Sequence, residues 1–364
     1  MLPYFSDRYG NPASRSHSFG WAAEKSVERA RKLVAELAGA SPGEIVFTSG
    51  ATESNNLAFK GIWEAYRSRG NHFITVATEH RAVLDPVRHL ARMGAEVTIL
   101  SVRSDGLVDL DVLRQAFRPE TVLVSVMFAN NETGVIQPVA EIGAICRKAG
   151  VLFHTDAAQA FGKVPLSVAE AAVDLMSVTA HKVYGPKGAG ALYIRRGITA
   201  VAQMDGGGHE RGLRSGTLNV PAIVGFGEAA AICAKEMEEE AARTSSLRDR
   251  LLAHIQSGFD GVQVNGSMAQ RLPANLNLGF PGVDADALLT ALPEIALSTG
   301  SACSSAAPEP SHVLRALGLT EAEARSSVRF GLGRTTTEEE VDYVAERVIT
   351  AIQSLKQAVP VARR

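Results

Sequence analysis

The sequence predicts an α/β protein with a large domain built on a mostly parallel, seven-stranded sheet and a small C-terminal domain of the α+β type. Strands alternate with amphipathic helices up to about Ala229, and the strands are rich in Val, Ile and Leu, which is typical of a sheet covered on both faces. The length of 364 residues also exceeds what one hydrophobic core usually serves. We place the division within a long charged helical stretch, which gives a large domain at 1–238 and a small domain at 239–364.

The large domain begins with a helix, because Trp21 to Ala38 place apolar side chains at helical spacing among Glu, Lys and Arg. Seven short, β-rich segments follow, and helical patterns separate most of them. In chain order the predicted strands are EIVFTSG, HFITVAT, EVTILSV, TVLVSVMFA, VLFHTD, DLMSVTA and GALYIR.

The small domain is predicted because the pattern of alternating strands and helices changes to a long charged helix followed by shorter strands. A long charged helix runs from about Ala229, strands follow near Asn275–Phe280 and Ser327–Leu332, and a last helix presents Val341, Val348 and other apolar side chains on one face.

Composition narrows the possible function classes. The net charge of −2 provides no field that would draw the chain to nucleic acid. No apolar run is long enough to cross a bilayer, and the first residues lack the features of a signal peptide. We therefore expect a cytoplasmic protein without direct nucleic-acid or membrane partners.

Three cysteines, Cys146, Cys233 and Cys303, are an odd number without metal-ligand spacing, so the sequence predicts neither a disulfide framework nor a metal site. Cys146 and Cys233 fall in helical apolar patterns and are expected to be structural. Cys303 lies in GSACSSA, a loop of small residues, which favours a reactive thiol over a packed one.

Polar clusters follow directly after several predicted strands, where open α/β sheets bind ligands. In SGATESNN a strand leads through Gly50 into a helix whose free N–H groups would suit a phosphate. Taken alone, an ordinary helix capped by Ser49 or Thr52 is the better explanation of this segment.

Three titratable side chains at predicted strand ends suit the chemistry of a Schiff-base cofactor. Lys182, in TAHKVYGPKG, could form a Schiff base in an electropositive, partly desolvated pocket. Asp156, which ends VLFHTD, could keep a pyridinium nitrogen protonated. His80 could stack on a planar ring and transfer protons. For each one alone, the plainer alternatives are a surface lysine, a helix cap and a hydrogen-bonded loop residue.

Three further residues complete the set of candidates. Asn131 and Gln159 are neutral hydrogen-bonding groups that suit a phenolic oxygen, although individually they are ordinary turn residues. Arg329 lies within a predicted strand, where a charge is unfavourable unless it faces a cleft and binds a carboxylate.

Together these residues resemble a known family, the cysteine desulfurases of the iron–sulfur-cluster and nitrogen-fixation type, which are class V aminotransferases of fold-type I that depend on pyridoxal phosphate. The resemblance covers nearly the whole chain and is carried by GNPASRSHSFG, SGATESNN, TEHRAVL, NNETGV, HTDAAQ, AHKVYGPKG, GGGHERGLRSGTLNV, GSACSSA and SSVRFGLGR.

The resemblance implies a role for each residue near the cofactor ring. Lys182 would bind the cofactor aldehyde, Asp156 the pyridinium nitrogen, and Gln159 and Asn131 the phenolic O3′ side. His80 would lie against the ring face and act in catalysis.

The resemblance also implies a phosphate site formed by Ala51, Thr52, Thr179 and His181. Thr217 would reach the phosphate of the partner subunit in a homodimer. The family usually has Ser where Thr179 stands, and the hydroxyl is retained.

For the reaction, the resemblance implies that Arg329, with Asn131, binds the carboxylate of L-cysteine and that Cys303 takes the sulfur as a persulfide. Alanine would be released. The sulfur would pass to an iron–sulfur scaffold or another acceptor, such as a tRNA-thiolation protein.

The chain departs from the family at its start, because members usually carry a segment reading like LDYAATTP before the GNPAS motif. We expect Met1 to be an internal methionine of a longer chain, since every other catalytic position is intact. The alternatives are a truncated paralogue with impaired activity, or a related class V enzyme such as a selenocysteine lyase or an aminotransferase.

Overall fold

The computed structural model describes residues 1–299 and 310–358, which divide into two compact units. The first unit comprises 1–100, 109–129 and 137–237, and the second comprises 101–108, 130–136 and 238–364. The units therefore meet in sequence between Met237 and Glu238, but two short earlier segments also belong to the second unit. The division into folding domains at 238 and 239 stays a prediction.

The first unit is built on a seven-stranded sheet in the order β1-β7-β6-β5-β4-β2-β3. Six strands run in the same direction and β7 alone among these seven runs opposite to its neighbours β6 and β1. The strands are β1 (Ile45–Thr48), β2 (His72–Val76), β3 (Glu96–Leu100), β4 (Thr121–Ser125), β5 (Leu152–Asp156), β6 (Leu175–Thr179) and β7 (Gly190–Ile194). The prediction of a mostly parallel, seven-stranded sheet is confirmed.

Both faces of this sheet are covered. Every residue of β1, β2, β4, β6 and β7 is buried, and successive side chains of a strand point to opposite faces. The helices of the unit are α1 (Pro3–Ser6), α2 (Ser18–Ala38), α3 (Ala51–Tyr66), α4 (Arg81–Arg92), α5 (Leu110–Ala116), α6 (Val139–Ala149) and the first part of α7 (Val220–Gly258). A continuous apolar core joins α3 and α4 to the sheet, with Phe59, Ile62 and Phe73 fully buried.

The second unit has an antiparallel three-stranded sheet in the order β10-β9-β8. Its core includes Leu276, Phe280 and Val328, packed with residues of α7 and the last helix. Its elements are the remainder of α7, β8 (Gln263–Val264), β9 (Asn275–Gly279), α8 (Ala285–Ala291), α9 (His312–Ala316), α10 (Glu321–Arg325), β10 (Ser327–Gly331) and α11 (Glu338–Ala358). This α+β arrangement also confirms the prediction.

In the described ranges, 1–299 and 310–358, the structure contains no helix with the length and apolar character needed to cross a membrane. Cys146 and Cys233 are both buried, in α6 and α7, as their helical apolar patterns predict.

Candidate active site

The candidate residues of the first unit lie at the carboxyl ends of parallel strands. Because β1, β2, β5 and β6 run in the same direction, their carboxyl ends lie at one edge of the sheet. Thr52 follows β1, His80 follows β2, and Asp156 is the last residue of β5. Beyond β6, a short 3-10 helix at Ala180–Val183 carries His181 and Lys182.

The turn from β1 into α3 presents free backbone N–H groups. Gly50 is the N-cap residue of α3, and no side chain caps it. A Cβ at Gly50 would lie 3.6 Å from Thr179 Oγ1, so the turn and the end of β6 approach each other closely. Ala51 and Thr52, the first residues of α3, therefore begin a helix of 16 residues whose positive end lies close to Thr179.

A cluster of positive charge surrounds His181. The Nδ1 atom of His181 lies 3.0 Å from Thr179 Oγ1. Partial burial lowers the pKa of His181, and the nearby charges of Lys182, Lys187 and Lys163 lower it further. The end of β6 thus combines a hydroxyl, an imidazole and lysine ammonium groups, which are all suited to bind an anion.

Asp156 is buried and is held by neutral donors. The Asn55 amide Nδ2 donates to Asp156 Oδ2 at 2.7 Å, and the Ala158 N–H donates to Oδ1 at 3.0 Å. Burial raises the pKa of Asp156, while these hydrogen bonds and the charge of His80 act in the opposite direction. The carboxylate of Asp156 is therefore fixed in orientation, but the donors that bind it are neutral and do not balance its negative charge.

Sequence reasoning missed a second buried carboxyl group, Glu79. Its Oε1 accepts a hydrogen bond from the Met127 N–H at 2.7 Å. Complete burial raises the pKa of Glu79 well above its ordinary value, and the charge of Asp156 raises it further. A signal was present, since Glu79 is an acidic residue that lies shortly after a β-rich strand and directly before His80. Asn55 was also missed, although it lies on the buried face of α3 one turn after Ala51.

His80 caps the following helix and keeps one ring nitrogen available. Its Nδ1 accepts from the Ala82 N–H at 3.0 Å at the start of α4, which assigns the ring proton to Nε2 in the neutral form. His80 and Thr52 line the same open cavity, together with Lys60 and His89.

Gln159 and Thr217 are less closely integrated with these groups. Gln159 is half-buried and accepts from Lys163 Nζ at 3.3 Å. Thr217 is exposed, on the loop between β7 and α7. Arg214 in this loop forms an ion pair with Glu53 in the first turn of α3, with a distance of 2.9 Å between Nε and Oε1. The loop is therefore attached to the first turn of α3.

The remaining described candidates belong to the second unit and contact each other. Arg329 Nη1 donates to the backbone carbonyl of Asn131 at 2.8 Å. The backbone N–H of Arg329 also donates to the Ser298 carbonyl at 2.8 Å. Cys303 lies outside the described residues.

The comparisons with known proteins agree with this fold over almost the whole chain. The family model described as aminotransferase class-V matches residues 1–344. A protein named cysteine desulfurase IscS, from Anaeromyxobacter sp. (strain Fw109-5), is 57% identical over 362 residues, covering 99% of this chain and 90% of that protein.

Solved structures are also similar. One described as a NifS-like protein has a TM-score of 0.91 at 38% identity and covers 98% of this chain and 94% of its own. Another, described as SspA in complex with cysteine, has a TM-score of 0.80 at 37% identity, with 91% and 92% of the two chains covered. These matches confirm the expected fold-type I architecture, and the chain belongs to the class V aminotransferase family and, within it, to the cysteine desulfurases.

Proposed function

We propose that this chain is a pyridoxal-phosphate-dependent enzyme that converts L-cysteine to L-alanine and keeps the sulfur as a persulfide on Cys303. The observation that carries the proposal is Asp156, a buried carboxylate whose hydrogen-bond donors, Asn55 and the Ala158 N–H, are neutral. A buried charge is costly unless an opposite charge pairs with it. A protonated pyridinium nitrogen is such a partner, and relatives named cysteine desulfurase support the choice of substrate.

The residues at the strand ends fit the phosphate of this cofactor. Ala51 and Thr52 would donate from the start of α3, where Gly50 leaves the backbone N–H groups without a side-chain cap. Thr179 and His181, already in contact at 3.0 Å, would bind the remaining phosphate oxygens beside the lysine cluster. When bound, the cofactor supplies an electron-withdrawing ring that acidifies the Cα–H of an attached amino acid.

Lys182 would hold the cofactor aldehyde and afterwards move a proton at the substrate Cα. Its position on the 3-10 helix directly after β6 fixes the backbone from which the amine reaches. His80 would orient the ring with its face and donate from Nε2, because Nδ1 is occupied by the Ala82 N–H. Gln159, with Asn131, would hydrogen-bond to the O3′ side.

Arg329 would bind the substrate carboxylate. The contact of Nη1 with the Asn131 carbonyl fixes the plane of the guanidinium and leaves its other donors for a bidentate pair. A neutral side chain at position 329 would therefore raise KM for cysteine.

Cys303 would take the sulfur. Its thiolate forms an S–S bond to the cysteine sulfur while the Cβ–S bond breaks, and the carbon keeps the electron pair and is protonated to give alanine. The persulfide would then pass to a thiol acceptor, such as an iron–sulfur scaffold or a tRNA-thiolation protein. Because this thiol must be regenerated in each cycle, we propose a reducing compartment, the cytoplasm.

The decisive experiment measures alanine and sulfide produced from L-cysteine with a thiol reductant. The wild type should yield both in equal amounts, and Cys303→Ala should lose sulfide formation by at least about 100-fold, as expected when an essential nucleophile is removed. Cys146→Ala is the matched control, because that thiol is buried. Borohydride should attach the cofactor to the wild type but not to Lys182→Ala.

Three outcomes would contradict the proposal. Turnover that persists in Cys303→Ala would remove the persulfide step, and selenocysteine or a 2-oxo acid as a much better co-substrate would indicate a selenocysteine lyase or an aminotransferase. Cofactor binding without alanine formation would indicate an inactive paralogue.

A further inference from the structure

A further buried carboxyl group, Glu132, lies in the second unit and feels the charge of Arg329. Glu132 follows Asn131, whose carbonyl accepts from Arg329, and it is only 5% exposed. The Ser311 hydroxyl donates to Glu132 Oε2 in a short hydrogen bond. Ser311 is itself the N-cap residue of α9 and accepts from the Leu314 N–H. The carboxylate thus links the start of α9 to the turn that holds the arginine.

The backbone around Glu132 is strongly fixed. The Asn130 side-chain Oδ1 accepts from the N–H groups of Glu132 and Thr133, both at 2.8 Å. The Glu132 carbonyl accepts from the amides of Asn275 and Asn277 at 3.4 and 3.2 Å. This turn cannot easily shift when the charge of Glu132 changes, so a change of charge will act through the electric field.

Several charged or polar side chains lie on the elements around Glu132. The adjacent β9 contributes neutral Asn275 and Asn277, and β10 contributes Arg329. Helix α9 carries His312 and Arg315, and the segment before β9 carries Arg271. Burial raises the pKa of Glu132 to about 7, whereas the Ser311 hydrogen bond and the charge of Arg329 act to lower it.

We propose that Glu132 is a positioning residue that couples binding of a carboxylate at Arg329 to the uptake of one proton by Glu132. The inference rests on the proposed function, which assigns the substrate carboxylate to Arg329. An ionised Glu132 offsets part of the guanidinium charge and repels an incoming carboxylate. A bound carboxylate in turn favours the neutral acid, and the proton comes from the solvent.

The ionisation of Glu132 sets the direction in which pH changes the affinity for a carboxylate. Well below its pKa of about 7, Glu132 is mostly neutral and Arg329 acts with its full charge, so carboxylates bind more tightly. As the pH rises from 6 to 8.5, Glu132 ionises and the Kd should increase by about five- to tenfold, which corresponds to a coupling of about 1 kcal/mol.

The test titrates the holoenzyme with propionate, a carboxylate without an amine, by calorimetry from pH 6 to 8.5 in two buffers of different ionisation enthalpy. With a five- to tenfold coupling, the wild type should take up roughly 0.4–0.5 proton near pH 7.5. Glu132→Gln, which keeps the shape of the side chain, should lose this uptake and bind at pH 8.5 about as tightly as the wild type binds at pH 6. Ser311→Ala should keep the uptake but move the transition to higher pH, because the lost hydrogen bond favours the charged form.

The two proposals fail in different ways. If Arg329→Leu binds propionate as well as the wild type does, the substrate assignment of the proposed function is wrong. If Arg329→Leu abolishes binding but Glu132→Gln retains the pH-dependent proton uptake, or binds more weakly at every pH, only the role of Glu132 is overturned. Circular dichroism of each variant separates these results from misfolding.

Discussion

At the scale of single residues, Glu79 and Asp156 show how burial affects the ionisation of a carboxyl group. Glu79 and Asp156 are both buried, and burial raises the pKa of each. Hydrogen bonds from Asn55 and the Ala158 N–H act to lower the pKa of Asp156, whereas the charge of Asp156 raises the pKa of Glu79 further. The pair is therefore expected to carry one charge, on Asp156, available for a cation.

The substitution Asp156→Asn tests this assignment. Loss of the charge should weaken binding of pyridoxal phosphate by about 10- to 100-fold, because hydrogen bonds to charged groups are worth about 1.5–3 kcal/mol. Equilibrium dialysis against the free cofactor measures the Kd. Asp111→Asn, at an exposed carboxylate of α5, is the control and should bind as the wild type does. Equal affinity in both variants would show that Asp156 has no cationic partner in the cofactor.

At the scale of secondary-structure elements, an internal ion pair attaches the loop after β7 to the start of the sheet. Arg31 of α2 binds Glu210 through two hydrogen bonds of 2.6 and 2.8 Å, and both side chains are buried. Glu210 also accepts from the Phe47 N–H of β1, and Arg31 donates to the Ile45 carbonyl. This network holds in place the loop that leads to Thr217.

Breaking this pair should destabilise the first unit strongly. Glu210→Gln leaves the buried Arg31 with only the more exposed Glu28 as a counter-charge, and we expect the free energy of unfolding in urea to fall by about 3–5 kcal/mol. The exposed pair of Arg88 and Asp85 is the matched control, and Asp85→Asn should cost less than about 1 kcal/mol. If the two variants unfold at the same urea concentration, the buried pair is not a stabilising attachment of the loop.

The seven strands could be predicted because each lies within a short β-rich run, and helical patterns separate most of these runs. The start of α7 could not be predicted in this way. The sequence places it near Ala229, whereas the helix begins at Val220 and includes Gly225 and Gly227, which disfavour a helix by propensity. A Cβ at Gly227 would lie 2.6 Å from Ala30 Cα, so close packing of α7 against α2 requires this glycine. Tertiary contact here overrides local preference.

The candidate site residues also include some that the sequence could predict and some that it could not. Thr52, Asp156 and Thr179 could be predicted, because strand ends are visible as the limits of apolar runs. Asn55 and Glu132 could not, because their roles depend on partners more than 100 residues away in sequence. The segments 101–108 and 130–136 join the second unit through similar contacts, including those of Asp105 and Gly134 with residues 267–272.

At the scale of the whole molecule, large apolar side chains near the N-terminus are unusually exposed. Exposed fractions within the first 21 residues reach 82% for Leu2, 65% for Phe5 and 69% for Phe19. Burying such side chains is worth about 1.5–3 kcal/mol each, and exposed apolar surface is characteristic of interaction sites. We expect this N-terminal surface to be covered by a second copy of the chain, in the homodimer that the family resemblance implies.

Sedimentation velocity at micromolar concentration tests this expectation. The wild type should sediment with a mass of about twice 38.6 kDa, and the double variant Phe5→Asp with Phe19→Asp should shift to the mass of one chain, because two charges would be buried at the interface. Met93→Asp, at another exposed apolar residue of the first unit, should remain a dimer. The monomer should also bind pyridoxal phosphate more weakly, since Thr217 is proposed to reach the phosphate of the partner subunit. A wild type of single-chain mass, or a double variant that stays dimeric, would contradict this interface.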